Sequence, residues 1–247
     1  MRRHLALASA PMHPYFLALI ASTLGFGCGG SSSTPASDMS MLLDQGGLDL
    51  GGDLAAARAC LPAGSVVVPF VTTDPVRSFA MAEPTLVTGK DYIAAIDTDV
   101  GCMVIDLNET VTPITTNSFI FLSLHHFFDG IAFHRVIDGF VAQAGDPNSV
   151  SGEPASWGTG DAGYQFGLEV SSTLNYDGAG VVGMARSNDP NTNSSQFFIT
   201  LAAAPSLNQM YTIFGKVTVG LDILPKIVRG EPPTMPTRIR SVTIATK

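Results

Sequence analysis

The sequence predicts a mainly β domain, a closed antiparallel barrel with two helices, between about Lys90 and the C-terminal Lys247. Short apolar runs of strand length recur through this region, and turn-forming glycine, proline and aspartate residues separate them. The whole chain contains 25 glycines and 16 prolines, whereas charged residues make up only 14%. This balance favours a loop-rich globular β protein over general disorder, and closing the sheet would remove its exposed strand edges.

The first predicted elements are a hairpin and a helix. Residues 92–97 and 103–107 alternate or run apolar at strand length, which predicts two antiparallel strands joined by a short turn. Thr112 precedes Pro113, and proline is well tolerated at the first helical position. The apolar spacing beyond it predicts a helix that continues to about Leu124.

Further strand-length runs follow this helix. They lie at residues 132–137, 181–185, 196–200, 212–217 and 239–245. Residues 221–228 are predicted to form a second short helix despite Pro225. The glycine-rich segment that starts after residue 146 predicts loops, because no Gly-Lys-Ser/Thr sequence follows it to open a phosphate-binding helix.

The charge and the histidine pattern exclude two classes of partner. The chain carries 13 Lys and Arg against 21 Asp and Glu, a formal net charge of -8, and no basic patch interrupts this acidic balance. A negative surface repels polyanions, so we expect no nucleic-acid partner. The pair His125 and His126 has no third ligand at zinc spacing, and neither Cys60 nor Cys102 belongs to a CxxC pair, so we expect no metal site.

The N-terminal residues 1–27 have the layout of a secretory signal peptide. Arg2 and Arg3 give a positive start, and an apolar stretch over residues 15–26 ends beside Cys28. This stretch is shorter than the ~20 residues that a membrane-spanning helix needs. The segment around Cys28 also resembles the lipobox of bacterial lipoproteins, which implies that this cysteine becomes a lipid-modified first residue. Ordinary cleavage nearby, which would release a free exported protein, is the alternative.

Residues 28–57 are predicted to form a flexible acidic tether between this anchor and the folded domain. They are rich in Gly, Ser, Ala and Asp, and they contain no lysine or arginine. Residues 58–90 then form an N-terminal extension of the domain at 91–247. Cys60 and Cys102 remain in an exported chain, where an even number of cysteines suggests a disulfide. Two buried free thiols are the alternative.

Two ordered motifs carry the functional prediction. Residues 133–143 read Phe-His-Arg-Val-Ile-Asp-Gly-Phe-Val-Ala-Gln, so Arg135 stands within an apolar strand-like run that is followed by a turn and a short strand. A buried guanidinium without hydrogen bonds loses several kcal/mol of hydration, so Arg135 needs a partner or a task. Residues 193–199 read Asn-Ser-Ser-Gln-Phe-Phe-Ile, and residues 214–217 read Phe-Gly-Lys-Val.

In this order the motifs closely resemble the signature segments of the cyclophilin-type peptidyl-prolyl isomerases. The resemblance covers about residues 91–247. It implies a closed eight-stranded antiparallel β-barrel capped by two α-helices, and a peptidyl-prolyl cis-trans isomerase (rotamase) activity that needs no cofactor. Arg135 then matches the catalytic arginine, and Gln143 matches the carbonyl-binding glutamine. The resemblance also implies a set of substrate-binding residues, namely Phe140, Val141, Ala185, Arg186, Gln196, Phe198, Leu207 and Tyr211.

Besides Val141 and Tyr211, which stand where the family often has Met and His, three positions depart from the usual family pattern. Ser206 stands where many members have a tryptophan, which argues against tight cyclosporin binding. Ala144 replaces a frequent glycine, and Arg186 replaces a frequent asparagine. None of these changes removes a group that the isomerase chemistry needs. Alternation along the strand also sends His134 to the face opposite Arg135, which predicts a structural role for this histidine.

The sequence therefore predicts an exported, lipid-anchored cyclophilin-like isomerase that faces the periplasm or the cell surface. Its partners would be proline-containing polypeptides, whose folding it would assist, and the membrane that holds its anchor. We expect a monomer. Two alternatives are a binding module that holds proline-containing segments without turnover, as a chaperone would, and a structural surface lipoprotein. Arg135 favours the enzyme, because proline binding alone would not need that donor.

Overall fold

The computed structural model of the protein describes Ala55 and residues 58–247. These residues belong to one compact unit that extends to Lys247. The predicted signal peptide, Cys28 and almost all of the predicted tether lie outside the described residues. Within the described part, no helix is both long enough and apolar enough to cross a bilayer.

A nine-stranded antiparallel sheet forms the body of the domain. Its strands in chain order are β1 (Val66–Val67), β2 (Tyr92–Thr98), β3 (Gly101–Leu107), β4 (Arg135–Ile137), β5 (Val141–Ala144), β6 (Val181–Met184), β7 (Phe197–Thr200), β8 (Ile213–Val219) and β9 (Ile239–Thr246). Their order across the sheet is β1-β9-β2-β3-β8-β6-β7-β5-β4, and neighbouring strands pair antiparallel. The predicted mainly β architecture is confirmed, with β2 and β3 as the predicted hairpin.

This sheet differs from the predicted eight-stranded closed barrel in two respects. The additional strand is β1, a two-residue segment that pairs with the end of β9. The outermost strands, β1 and β4, do not pair with each other. Isolated bridges instead join Ala132 to Arg238 and Val136 to Gly230, between the β4 side of the sheet and the segment that precedes β9. A continuous ladder of strand hydrogen bonds therefore does not close the sheet.

The predicted first helix is present as α1 (Pro113–Leu124), with proline in its first turn. Its N-terminal backbone groups are satisfied by a carboxylate from a distant loop. Glu169 accepts hydrogen bonds from the backbone amides of Ile114 and Thr115, at 3.1 and 2.7 Å. The negative charge of Glu169 also interacts favourably with the positive end of the helix dipole. Glu169 therefore stabilises the helix start and at the same time attaches its own loop to the helix.

The predicted second α-helix at residues 221–228 is wrong in type. Leu221–Lys226 forms a 3-10 helix that starts after Gly220, which has a left-handed backbone with φ of 82°. Pro225 lacks the backbone N–H that an α-helix would use at this position, and 3-10 geometry is tolerated only in short pieces. Of the two predicted capping α-helices, the first is present as α1, and the second is a 3-10 helix at Leu221–Lys226.

The main core lies between α1 and one face of the sheet. The ring of Phe119 on α1 lies 5.6 Å from that of Phe197 on β7 and 5.2 Å from that of Phe214 on β8, measured between centroids. All three side chains are essentially inaccessible to solvent. Burial of a phenylalanine side chain contributes about 1.5–3 kcal/mol, so this aromatic contact holds the helix firmly on β7 and β8.

A second apolar cluster occupies the other face of β5, β6, β7 and β8. Alternation along β7 sends Phe197 into the main core and Phe198 into this second cluster. The buried members of the cluster are Val141, Tyr176, Val181, Phe198, Ala204 and Ile213. Partly exposed apolar side chains pack on it, among them Phe140, Leu207 and Tyr211, and this partly exposed layer forms the base of the site described below.

Besides the pairing of β1 with β9, two further sets of contacts hold the N-terminal extension on the domain. Cys60 and Cys102 form a disulfide with a Cα–Cα distance of 6.3 Å across a sequence separation of 42 residues. In the chain-entropy model, a disulfide that closes a loop of this length stabilises the folded state by about 4 kcal/mol. Further along, the Arg77 guanidinium donates hydrogen bonds to the backbone carbonyls of Phe127 and Asp129 beyond the end of α1. The extension is therefore part of the folded unit.

Candidate active site

A row of aligned side chains crosses four strands on the face that carries the second cluster. Arg135 on β4 lies opposite Gln143 on β5, Gln143 lies opposite Phe198 on β7, and Phe198 lies opposite Gly183 on β6. Directly opposed residues of antiparallel strands share one face of the sheet. The strand register therefore brings together the arginine, the glutamine and the phenylalanine that the sequence motifs singled out.

These residues open onto a cavity of about 110 Å³. The side chains that line it are Arg135, Phe140, Val141, Gln143, Ala185, Arg186, Phe198, Leu207 and Tyr211. Each of these nine residues was predicted as a site residue from the sequence. The cavity has an apolar base, and polar side chains stand at its edges, an arrangement suited to a small apolar ring attached to a polar backbone.

The apolar base is built from stacked aromatic rings. Phe198 stacks on the fully buried Tyr176 at 5.6 Å and meets Tyr211 edge-on at 5.7 Å, between ring centroids. Burial raises the pKa of the Tyr176 phenol far above its ordinary value. Gly183 lies beneath these rings, where a Cβ atom would clash with the Tyr176 hydroxyl and come within 2.5 Å of the Phe198 ring. Tyr176 and Gly183 were not predicted as site residues, because neither lies within residues 133–143, 193–199 or 214–217, which carry the family resemblance.

Gln143 is oriented by a relay of amide groups. Its Nε2 donates to Oε1 of Gln196 at 2.9 Å, and Nε2 of Gln196 donates to the backbone carbonyls of Gly158 and Gly160 at 3.0 and 2.8 Å. Because the amide protons of Gln196 are directed to carbonyls, its Oε1 must act as an acceptor. Gln143 is thereby held with a second N–H that can donate to a substrate carbonyl.

Gln196 therefore supports the 110 Å³ cavity without lining it. It lines a neighbouring, more polar cavity of about 260 Å³, which shares Gln143, Ala185 and Arg186 with the first. The Gly158 end of this second cavity is held by the buried carboxylate of Asp146, which accepts a hydrogen bond from the Gly158 backbone amide. The two cavities adjoin at Gln143, Ala185 and Arg186, and together they are called the groove.

Arg135 lies at the edge of the pocket rather than inside the core. Its side chain is 37% exposed, and its Nε donates to Oε2 of Glu231 at 3.2 Å. Its two terminal amino groups make no hydrogen bond to another described residue, so they remain available as donors. The partial exposure explains how a guanidinium is accommodated within an apolar strand without the cost of full burial.

Arg186 joins the two walls of the groove. Its guanidinium lies 4.8 Å from the ring centroid of Tyr211, and it donates to the carbonyl of Met210 from Nη2 at 2.6 Å and to that of Ser187 from Nη1 at 2.7 Å. A cation–π contact of this kind contributes about 0.5–1 kcal/mol at a partly exposed site. The residue that replaces the frequent family asparagine thus fixes Tyr211 relative to β6.

The other candidate groups lie outside this groove. His134 is buried and lines neither cavity, and burial lowers the pKa of its imidazole although the Asp146 carboxylate acts in the opposite direction. His126 pairs with Asp129 at 2.8 Å after the end of α1. Within the described residues, no group of three or more His, Cys, Asp or Glu side chains is arranged to hold a metal ion.

The fold and this groove define a class of protein, a mainly β domain with a small apolar pocket beside an arginine. Residues 93–244 match the sequence model of the family described as cyclophilin type peptidyl-prolyl cis-trans isomerase/CLD. The chain belongs to this family, and it is an isomerase.

Individual relatives agree with this assignment. The peptidyl-prolyl cis-trans isomerase ppi1 of Schizosaccharomyces pombe is 43% identical over 128 residues, which cover 52% of this chain and 79% of the relative. A crystal structure of a Cryptosporidium parvum cyclophilin type peptidyl-prolyl cis-trans isomerase is 31% identical with a TM-score of 0.56, and the match covers 62% of this chain and 97% of that one. A second crystal structure of that protein, 32% identical with a TM-score of 0.55 and covering 62% and 98%, was determined in the presence of the dipeptide Ala-Pro.

Proposed function

We propose that this isomerase accelerates X-Pro rotation by holding the proline ring in the 110 Å³ cavity while Arg135 donates to the prolyl nitrogen. The observation that carries the proposal is the meeting of one apolar cavity with Arg135 and Gln143 at its edge. A cavity of about 150 Å³ accommodates benzene, so a slightly smaller cavity suits a five-membered ring. The Ala-Pro structure of the Cryptosporidium parvum relative supports X-Pro as the substrate class.

The proposed chemistry is non-covalent. A planar prolyl amide is held by resonance, with a barrier of about 18–20 kcal/mol. At the twisted midpoint the nitrogen becomes pyramidal and basic, and only then can it accept a hydrogen bond. The guanidinium of Arg135 carries only N–H donors and no acceptor, so its terminal amino groups can form a bond that exists mainly in the transition state. A charged hydrogen bond of about 1.5–3 kcal/mol corresponds to roughly ten- to hundredfold in rate.

Gln143 has the complementary task in this mechanism. Held by Gln196, it donates its free N–H to a carbonyl next to the proline and fixes one side of the rotating bond. A fixed partner of this kind reduces the reorganisation that accompanies rotation, because the donor is already aligned before the substrate arrives. No nucleophile, general base, metal or cofactor is needed for the step.

We also propose an exported setting for this activity. The charged and apolar layout of residues 1–27, the lipobox-like Cys28 and the acidic tether at 28–57 support export and anchoring. The Cys60–Cys102 disulfide supports an oxidising compartment such as the periplasm or the cell surface. The substrates would then be proline-containing segments of exported proteins, whose folding the enzyme would assist. We further propose that the sheet closes as a monomeric barrel, with the bridges of Ala132 and Val136 supporting the closure.

The activity is tested by NMR exchange spectroscopy on a short Ala-Pro peptide with the purified protein and its Arg135→Ala variant. We expect fast cis/trans exchange with the parent and a loss of at least about tenfold in the variant, which corresponds to one charged hydrogen bond. Peptide binding without exchange in the parent would instead indicate a binding module. Equal rates in both proteins would remove Arg135 from the mechanism while leaving the isomerase intact.

The anchor is tested separately. In a bacterial host, the mass of the N-terminal fragment of the mature protein should include a lipid on Cys28, and the protein should partition with membranes. The Cys28→Ser variant should lose both properties while keeping the isomerase rate. A mature N-terminus elsewhere with no lipid would favour ordinary cleavage and a free exported protein.

A further inference from the structure

Glu231 faces the catalytic edge of the pocket from a segment that the sequence motifs do not include. The antiparallel bridge between Val136 and Gly230 places the next pair of residues, Arg135 and Glu231, opposite each other. Their side chains meet, with Arg135 Nε donating to Glu231 Oε2 at 3.2 Å. The carboxylate is therefore placed by strand geometry rather than by chance contact of two surface side chains.

The contact engages one edge of the guanidinium and leaves the other free. Nε is occupied by Glu231, whereas the terminal amino groups bond to no other described residue, and Arg135 lines the 110 Å³ cavity. Since the guanidinium is planar and rigid, holding Nε sets the direction of its terminal amino groups. A long side chain that is 37% exposed would otherwise sample several rotamers.

We propose that Glu231 is a positioning residue for Arg135 and keeps its terminal amino groups directed at the prolyl nitrogen. This inference rests on the proposed role of Arg135 as the donor. Glu231 acts before the substrate binds, by raising the fraction of enzyme molecules whose guanidinium is already aligned. A misplaced catalytic group lowers the rate of the rotation step without weakening the apolar pocket that binds the proline ring.

The chain offers a matched control pair on the same two segments. Arg229 donates to Oδ1 of Asp138 from Nε at 3.2 Å and from Nη2 at 3.0 Å. This pair also joins the end of β4 to the segment after the 3-10 helix, yet neither residue lines the two cavities of the groove. Removing the Asp138 charge therefore tests the effect of weakening the contact between β4 and the segment around Arg229, without a change at the pocket.

The experiment measures kcat and KM by NMR exchange for the parent and for Glu231→Ala, Glu231→Gln and Asp138→Asn. Three Ala-Pro peptides are used, with a neutral, a lysine or a glutamate residue beside the Ala-Pro unit. We expect Glu231→Ala to lower kcat by about three- to fivefold on all three peptides, the size of a partly exposed ion pair. KM should stay within about twofold, because ring burial supplies the affinity. Glu231→Gln should recover most of the loss, since its amide oxygen can accept from Nε, and Asp138→Asn should match the parent.

A direct readout of the guanidinium separates positioning from a general structural effect. The Nε–Hε resonance of Arg135 should be sharp in the parent and in Asp138→Asn, and broadened in Glu231→Ala. In the Arg135→Ala background, adding Glu231→Ala should change the rate no further, because the residue that it positions is absent.

Three results would overturn the proposal. The first is an unchanged kcat in Glu231→Ala. The second is a loss of kcat that is confined to the lysine peptide, which would make Glu231 a charge-recognition group. The third is an additional loss of rate when Glu231→Ala is added to Arg135→Ala. The proposed function fails in a different way, through full activity of Arg135→Ala or through no exchange with the parent. The two failures are therefore distinguishable.

Discussion

The side-chain amide of Gln143 donates a 2.9 Å hydrogen bond to the side-chain carbonyl of Gln196. The two residues come from strand β5 and from the residue just before β7, and they lie 53 positions apart in the chain. The side-chain Nε2 of Gln196 in turn donates hydrogen bonds to the backbone carbonyls of Gly158 and Gly160. A glycine-rich loop thus determines which atoms of Gln143, which lines the pocket, are free of partners within the protein.

Removal of Gln196 should disturb the enzyme through Gln143. We expect Gln196→Leu to lower kcat/KM by about three- to tenfold, because the lost bonds are neutral hydrogen bonds of about 1 kcal/mol each. Gln143→Leu combined with Gln196→Leu should be little worse than Gln143→Leu alone, since the two residues act as one unit. Exchange spectroscopy on the Ala-Pro peptide checks this, and full additivity of the two losses would contradict the relay.

Gly183→Ala should deform the base of the pocket. The added Cβ would clash with the Tyr176 hydroxyl and would lie 2.5 Å from the ring of Phe198, so the aromatic base of the pocket must shift. Overpacking of this kind costs about 1–3 kcal/mol, so we expect a lower free energy of unfolding and a higher KM. Gly178→Ala is the control, because its added Cβ meets nothing within 4 Å. Denaturant titration and peptide binding measure the two effects, and parity between the variants would refute the prediction.

Arg186→Asn should restore the residue frequent in the family while loosening this groove. The variant loses the cation–π contact with Tyr211 and the hydrogen bonds to Met210 and Ser187. We expect KM to rise about two- to fivefold, corresponding to about 0.5–1 kcal/mol, with kcat nearly unchanged. Steady-state measurement of both constants tests this, and a change confined to kcat would mean that Arg186 acts on the rotation step itself.

Reduction of the disulfide should destabilise the domain without abolishing its activity. Opening the loop between Cys60 and Cys102 is expected to lower the free energy of unfolding by about 2–4 kcal/mol. Thermal melting with and without a reductant measures the change, with Cys60→Ser as the variant that should no longer respond to the reductant. The disulfide joins the N-terminal extension to β3, and no residue of β3 lines the pocket. The isomerase rate at 25 °C should therefore stay constant, and a parallel loss of rate would contradict this separation.

Acidification should weaken the fold partly through His134. Burial lowers the pKa of His134 in the folded state, with Asp146 raising it and Arg135 lowering it as smaller influences. Above the unfolded-state pKa of about 6.5 both states are neutral and the group has no effect. Below it the unfolded chain takes up a proton that the folded protein resists, so stability falls as the pH drops from about 6.5 towards the folded-state pKa.

The matching measurement is denaturant unfolding of the parent and of His134→Phe at pH 7.5 and pH 5. The variant should lose less stability over this interval than the parent does, because its ring cannot be protonated. Identical losses in the two proteins would show that the acid sensitivity does not come from His134.

Several features followed from the local sequence because their physical cause is local. Pro113 and the apolar spacing after it predicted α1, and short apolar runs predicted most of the strands. The second helix was predicted with the wrong geometry. The apolar residues around Pro225 favoured an α-helix, but proline lacks the backbone N–H that an α-helix would use at this position. The short strand β1 was not predicted, since two residues carry no readable period and pair only because β9 offers a free edge.

For the candidate site, the sequence by itself determined the chemical groups and their order along the chain. Arg135, Gln143 and Phe198 could be singled out because each lies in a motif whose residue order identifies it. Only the tertiary structure decided their partners, because Tyr176, Glu231 and the Gly158 loop approach the groove from segments without a distinctive pattern. Contacts between distant segments depend on strand register and on where loops return, and no short stretch of sequence encodes either of these.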